Sequence, residues 1–153
     1  MYPPGQSGTT IWLTGHSLGG SVASTLGLDL QSQGILVPVV AFSAPGERQY
    51  AERLHISQLD PTPHVYHFGV SGDPFFSGTC QGPTSPCWLA GYAMETKCHL
   101  GHECVWQTTG GSVNMHMIAK LIKDFVSNEA LPLPTCQPVN ASCTDCDWWQ
   151  YYD

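Results

Sequence analysis

Charge is scarce in this sequence: only 11% of its 153 residues are Asp, Glu, Lys or Arg, against roughly 25% in an average globular protein. Basic residues are the scarcest, five Lys and Arg against twelve Asp and Glu, for a net charge of −7. With no basic cluster to track phosphates, nucleic acid is excluded as a partner. Long apolar runs are missing too. The longest, Ile35 to Phe42, is interrupted by Pro38, falls short of the roughly 18 residues of a membrane span, and reads as a buried strand. The opening Met1-Tyr2-Pro3-Pro4-Gly5-Gln6 has neither the positive start nor the apolar stretch of a signal peptide.

Cysteine is absent from the first half. All seven (Cys80, Cys87, Cys98, Cys104, Cys136, Cys143, Cys146) lie in the second, together with the glycosylation acceptor Asn140-Ala141-Ser142. Both features point to an oxidising lumen. Lumenal chemistry without a signal segment, and an odd cysteine count, lead to the expectation that a further segment of the same polypeptide lies upstream.

What is present suits one domain with a core: 42% of the residues are apolar, an ordinary value for a folded chain. Thr9 to Thr14, Val37 to Ser43 and His64 to Val70 are β-branched or apolar runs bounded by turn residues, the profile of short buried strands. Between the first two, Leu18 to Leu30 has helical composition, with Val22, Leu26 and either Ala23 or Leu30 at helical spacing and Gly34 as a stop. Pro45-Gly46 opens a polar, helix-compatible segment through Leu54. Phe75 to Gly111 is rich in Gly, Cys, Thr and Ser and reads as a disulfide-stapled excursion without assigned regular structure. Met115 to Val126 returns to helical spacing, with Ile118, Leu121, Ile122 and Phe125 on one face. Residues 1–130 are therefore expected to form the domain and 131–153 a Pro-, Cys- and Trp-rich tail. The alternation of strand and helix argues an α/β fold with parallel strands.

Gly15-His16-Ser17-Leu18-Gly19 matches G-x-S-x-G and stands where that motif has meaning, directly after a strand and before a helix. The sharp turn is expected to need small residues at Gly15 and Gly19 and to lift the Ser17 hydroxyl out of the sheet edge. The helix N-terminus then offers its dipole and the Leu18 amide to a developing oxyanion. His16 is expected at the site mouth, shaping substrate access.

A serine hydroxyl needs an imidazole base, and the imidazole a carboxylate to fix its tautomer. Following the order Ser, acid, His, Asp73 is the leading acid because it ends the third strand at the edge where Ser17 emerges. Asp60, ahead of that strand, should sit at the opposite edge as a turn residue. His116, just ahead of the last helix, is the leading base, with His99 and His102 as competitors. Those two fall in Cys98-His99-Leu100-Gly101-His102-Glu103-Cys104, whose ligand spacing is not a common zinc pattern. A Cys98–Cys104 disulfide is the favoured reading there, and no metal is expected. Cys143-Thr144-Asp145-Cys146 reads as structural rather than redox-active.

Ile11 to Gly20, then Ala41-Phe42-Ser43-Ala44-Pro45-Gly46-Glu47-Arg48, Gly72-Asp73-Pro74 and Gly78-Thr79-Cys80 together resemble the fungal autophagy lipase family within the class 3 lipases. Gly91 to His99, Ser112-Val113-Asn114-Met115-His116 and the tail with Trp148 extend the resemblance over nearly the whole chain. It implies an α/β-hydrolase sheet lacking its first strands, with a disulfide-rich insertion and tail. It further implies a lipase and phospholipase without cofactor, using Ser17, Asp73 and His116. The implied setting is the vacuole lumen, reached through the endomembrane system as an anchored glycoprotein, where the lipid of autophagic and multivesicular membranes is the substrate. The second oxyanion donor is expected from the upstream segment.

Overall fold

The computed structural model describes residues 11–56, 64–78 and 97–139. Asp60, Cys80, Cys87, Asn140, Cys143, Cys146 and residues 79–96 and 140–153 in general lie outside that set. The described chain runs β1 (Leu13–His16), α1 (Leu18–Ser32), β2 (Val39–Phe42), α2 (Arg48–Arg53), β3 (Val65–Val70) and β4 (His102–Trp106). A 3-10 turn (Val113–His116), α3 (Ile118–Leu121) with a π-helical extension (Ile122–Val126), and β5 (Cys136–Pro138) follow.

These strands form one five-stranded sheet in the order β1-β2-β3-β4-β5. The first four are parallel, with Gly15 opposite Ala41, Ala41 opposite His67, and His67 opposite Glu103. β5 returns antiparallel to β4, where Cys104 lies opposite Cys136 and forms a disulfide with it. This is the α/β-hydrolase-like parallel sheet expected from the alternation of elements, with helices packed on both faces.

Alternation along each strand separates two cores. Val39 and Val65 face one side, where Ala23 and Leu28 of α1 and Ala51 of α2 cover them. Val70 and Trp106 face the other, packed by Leu121 and Phe125, with Phe42 and Phe68 beside them. In α1 the packing face is made of small residues, Gly20, Ala23, Ser24 and Gly27, plus Leu28. A Cβ on Gly27 would come within 2.2 Å of Val39 Cγ2, so the helix backbone lies close on β2. Val22 and Leu26, noted for their helical spacing, point outward with Leu18, while Ala23 is buried; the small face permits the closer approach and wins. The helix ends as expected at Gly34, whose φ of 80° is open to glycine without cost. Ile35 N–H caps the Leu30 carbonyl at 2.9 Å there.

Three expectations need correction. β4 lies within the segment read as lacking regular structure: Cys104 and Trp106 alternate inward there on either side of Val105, a period masked in sequence because the polar pair His102 and Glu103 opens the strand. The Cys98–Cys104 bridge is replaced by Cys104–Cys136, because β4 and β5 set those two Cβ atoms side by side across the ladder; Cys98 is disulfide-bonded elsewhere. The last helix is a composite of 3-10, α and π turns, and only part of its apolar face is buried, Leu121 fully and Ile118 and Ile122 about half exposed.

Candidate active site

β1 delivers Ser17 at the C-terminal edge of the sheet. Its amide donates to Phe42 O at 3.0 Å, the last ladder bond of the strand, and its backbone then turns to φ 56°, ψ −129°. A non-glycine residue at positive φ costs on the order of 1–3 kcal/mol and persists only where its surroundings fix it. Gly15 is what permits it: a Cβ there would lie 2.3 Å from Gly19 O and 2.7 Å from Gly20 N. Gly19 is not so constrained, since a Cβ there meets nothing within 4 Å among the described residues. The second small position is instead Gly20, whose Cβ would sit 2.8 Å from that of Ala44.

Asp73 follows β3 in a tight turn and is fully buried. Its Oδ1 accepts the Phe75 amide at 3.0 Å, which pins the carboxylate. His116 ends the 3-10 turn, and that loop is zipped to the Asp73 turn by Ser112 N–H donating to Gly72 O and Thr108 N–H donating to Ser71 Oγ. Gly72 is needed here, because a Cβ would strike Gly110 O at 2.1 Å.

These elements bring the three side chains into one chain of hydrogen bonds. His116 Nδ1 lies 2.9 and 3.1 Å from the two Asp73 oxygens, and His116 Nε2 lies 2.7 Å from Ser17 Oγ. A carboxylate only accepts, so Nδ1 carries the proton and Nε2 is left to accept the serine hydroxyl. That arrangement can remove a proton from Ser17 as it attacks a carbonyl. Leu18 opens α1, directly after the serine, with its N–H at the positive end of the helix.

His16, expected at the mouth, is half-buried against the base. Its Nε2 donates to the His116 carbonyl at 2.8 Å, and the two rings stand 5.1 Å apart. Burial pulls the His16 imidazole below its ordinary value. The Phe75 ring also packs on His116, with centroids 4.3 Å apart. Neither contact was read from the sequence, since His16 and Phe75 join the site only through the folded loop of His116.

The competitors for the base lie elsewhere. His99 is buried between Ala44 O and Glu103, and His102 stacks on Tyr66. Cys98 and Cys104 are both disulfide-bonded, so the segment offers no thiolate pair to a metal. Beside the elbow, an apolar groove of about 540 Å³ runs between α1 and α2 from Leu18 past Val22 and Leu26 to Tyr50 and Leu54.

Residues 3–75 match the model of the lipase (class 3) family. Over 99% of its length the chain is 43% identical to a Candida albicans protein named "Putative lipase ATG15", and over 92% it is 42% identical to the Saccharomyces cerevisiae protein of that name. It spans 25% and 28% of the length of these two curated relatives. Similarity that runs through the elbow, both turns and the His116 loop has one consequence: the chain belongs to the class 3 lipase family.

Proposed function

We propose that this chain carries the catalytic centre of a serine hydrolase acting on lipid esters, with Ser17 as nucleophile, His116 as general base and then acid, and Asp73 as its orienting carboxylate. The observation that carries this reading is the continuous Ser17–His116–Asp73 hydrogen-bond chain at the strained turn. In the reaction Ser17 Oγ bonds to the ester carbonyl carbon while His116 Nε2 takes its proton. The Leu18 N–H stabilises the oxyanion, His116 returns the proton to the leaving alcohol, and water then releases the acyl group by the same route. Gly15 and Gly20 let the elbow form, and no metal or organic cofactor takes part.

Lipid as the substrate is supported by family membership and by the apolar groove that begins at Leu18. Phospholipid and triacylglycerol of autophagic and multivesicular membranes, met in the vacuole lumen, are the proposed substrates. The disulfides and the Asn140 acceptor sequence are compatible with delivery through the endomembrane system as a glycoprotein.

Acyl release from phospholipid liposomes by the full-length protein and by Ser17→Ala tests the reading. Activity lost in the variant supports it; equal activity in both overturns it.

A further inference from the structure

On the α1 side of the sheet, outside the Ser17–His116–Asp73 chain, four ionisable side chains are packed together: Glu47, His67, His99 and Glu103. Glu47 and His67 are joined at 3.1 Å with side chains 1% and 0% exposed, and His67 and His99 rings lie 4.5 Å apart. Such a cluster is costly to bury, and its charges must be compensated locally.

The partners of His99 fix its charge. Nε2 lies 2.9 Å from the Ala44 carbonyl and Nδ1 lies 2.7 Å from Glu103 Oε1. A carbonyl and a carboxylate only accept, so both nitrogens donate, and a neutral imidazole has only one N–H. His99 in this geometry is an imidazolium. The groups around it agree. Glu47, from the connection after β2, supplies a buried carboxylate that accepts Leu100 N–H at 3.0 Å as well as His67. His67 comes from β3, Glu103 from β4, and Phe76 stacks on His99 from the turn after β3 at 4.6 Å. Arg48, next to Glu47, is committed to Glu52.

Ala44 is not a neutral anchor point. A Cβ on Gly20, in the first turn of α1, would lie 2.8 Å from the Ala44 Cβ, and the next carbonyl, that of Pro45, accepts a hydrogen bond from Ser21 Oγ at 2.9 Å. The Ala44-Pro45 segment is thus the backing of the turn whose amides follow Ser17. We propose that His99 is a positioning residue: its imidazolium clamps the Ala44 carbonyl and so holds the first turn of α1 in register behind Ser17, a clamp engaged in mild acid and released when His99 loses its proton. This rests on the hydrolase reading above. Burial alone would push His99 down, but the Glu103 bond and the Glu47 field outweigh it and raise its affinity for the proton.

Two readouts on the full-length protein test this. Imidazole ¹⁵N spectra are expected to show both His99 nitrogens protonated at about pH 5–6.5, one of them losing its proton on the alkaline side. Labelling of Ser17 by a fluorophosphonate is expected to slow over that same alkaline range. His99→Gln, whose amide still donates to Ala44 but does not titrate, should label about tenfold more slowly in acid and show no alkaline fall. Glu103→Gln, altering the more exposed partner, should move the fall to lower pH. A singly protonated His99 at about pH 5.5, or an alkaline fall unchanged in both variants, overturns the proposal. If nothing labels at any pH while His99 is doubly protonated, the hydrolase reading falls and the positioning role with it, whereas the charge assignment stands.

Discussion

Asp73 faces His116 with both carboxylate oxygens, 2.9 and 3.1 Å from Nδ1, while the carboxylate itself is wholly buried. Besides accepting the Phe75 amide, a carboxylate so placed has one task in the proposed mechanism, to hold the imidazole with Nδ1 protonated and to balance the imidazolium that forms when Ser17 gives up its proton. Asp73→Asn keeps the shape and presents an N–H to Nδ1, which selects the wrong tautomer. Hydrolysis is expected to fall about 10⁴-fold in kcat with little change in folding. Burst and steady-state kinetics with a chromogenic ester check it, and a loss below tenfold would remove Asp73 from the proposed role.

His16 holds the His116 backbone rather than its ring nitrogens, through Nε2 and the carbonyl at 2.8 Å. Truncation to Ala deletes one hydrogen bond and one wall of the base. A loss of roughly 1 kcal/mol of positioning is expected, about five- to tenfold in kcat at nearly constant KM. His16→Gln, which restores a donor, should recover part of it; a KM effect alone would instead return His16 to a substrate-contacting part at the mouth.

The glycines of the elbow separate sharply. Gly15→Ala places a methyl 2.3 Å from Gly19 O and Gly20→Ala places one 2.8 Å from Ala44 Cβ. Each is expected to destabilise by about 1–3 kcal/mol through overpacking. Gly19→Ala meets only open space among the described residues and should stabilise α1 by up to about 1 kcal/mol. Denaturant unfolding of the three variants gives the ranking directly.

Strand-turn-helix chemistry made the elbow legible in the sequence, because Gly15, Ser17 and the run after Leu18 are local neighbours whose spacing encodes one turn. Asp73 and the His116 loop were legible through chain order and through the position of Asp73 at a strand end. What stayed hidden depended on contacts between distant segments. β4 could not be read because its inward residues are only Cys104 and Trp106, with the apolar Val105 between them and the polar pair His102 and Glu103 ahead of them. The outward turn of Val22 and Leu26 was hidden because helical spacing marks an apolar stripe without saying which stripe the sheet accepts. Gly20 and Gly27 decided that by letting the opposite face come closer. The Glu47–His67–His99–Glu103 cluster draws on three strands' worth of sequence separation, and no spacing rule announces it.

Cys104–Cys136 closes a loop of 32 residues that includes the His116 turn and α3. Removing it with a paired Cys104→Ala, Cys136→Ala change should cost about 3–4 kcal/mol by the chain-entropy relation for a loop of that length. The damage is expected first at β4 and β5, whose three-residue ladder is short. Hydrogen exchange at Glu103 and Gln137 is the sensitive readout; unchanged protection there would mean that packing of Trp106 alone holds the edge.

Stability should peak in mild acid, and the two buried charges set the window. Glu47 is held below its ordinary value of 4.5: burial would raise it, but His67, His99 and the Leu100 amide outweigh burial. Its contribution is therefore present above 4.5 and lost as pH falls through the lowered folded value. His99 is raised above 6.5 against the effect of burial, so its contribution is complete below 6.5 and lost as pH climbs through the raised folded value. Both are whole only between 4.5 and 6.5. The melting temperature should be highest across that interval and decline on either side, with the alkaline decline reduced in His99→Gln. A melting temperature that keeps rising above neutrality would show that Glu47 and His99 do not carry the charges assigned to them here.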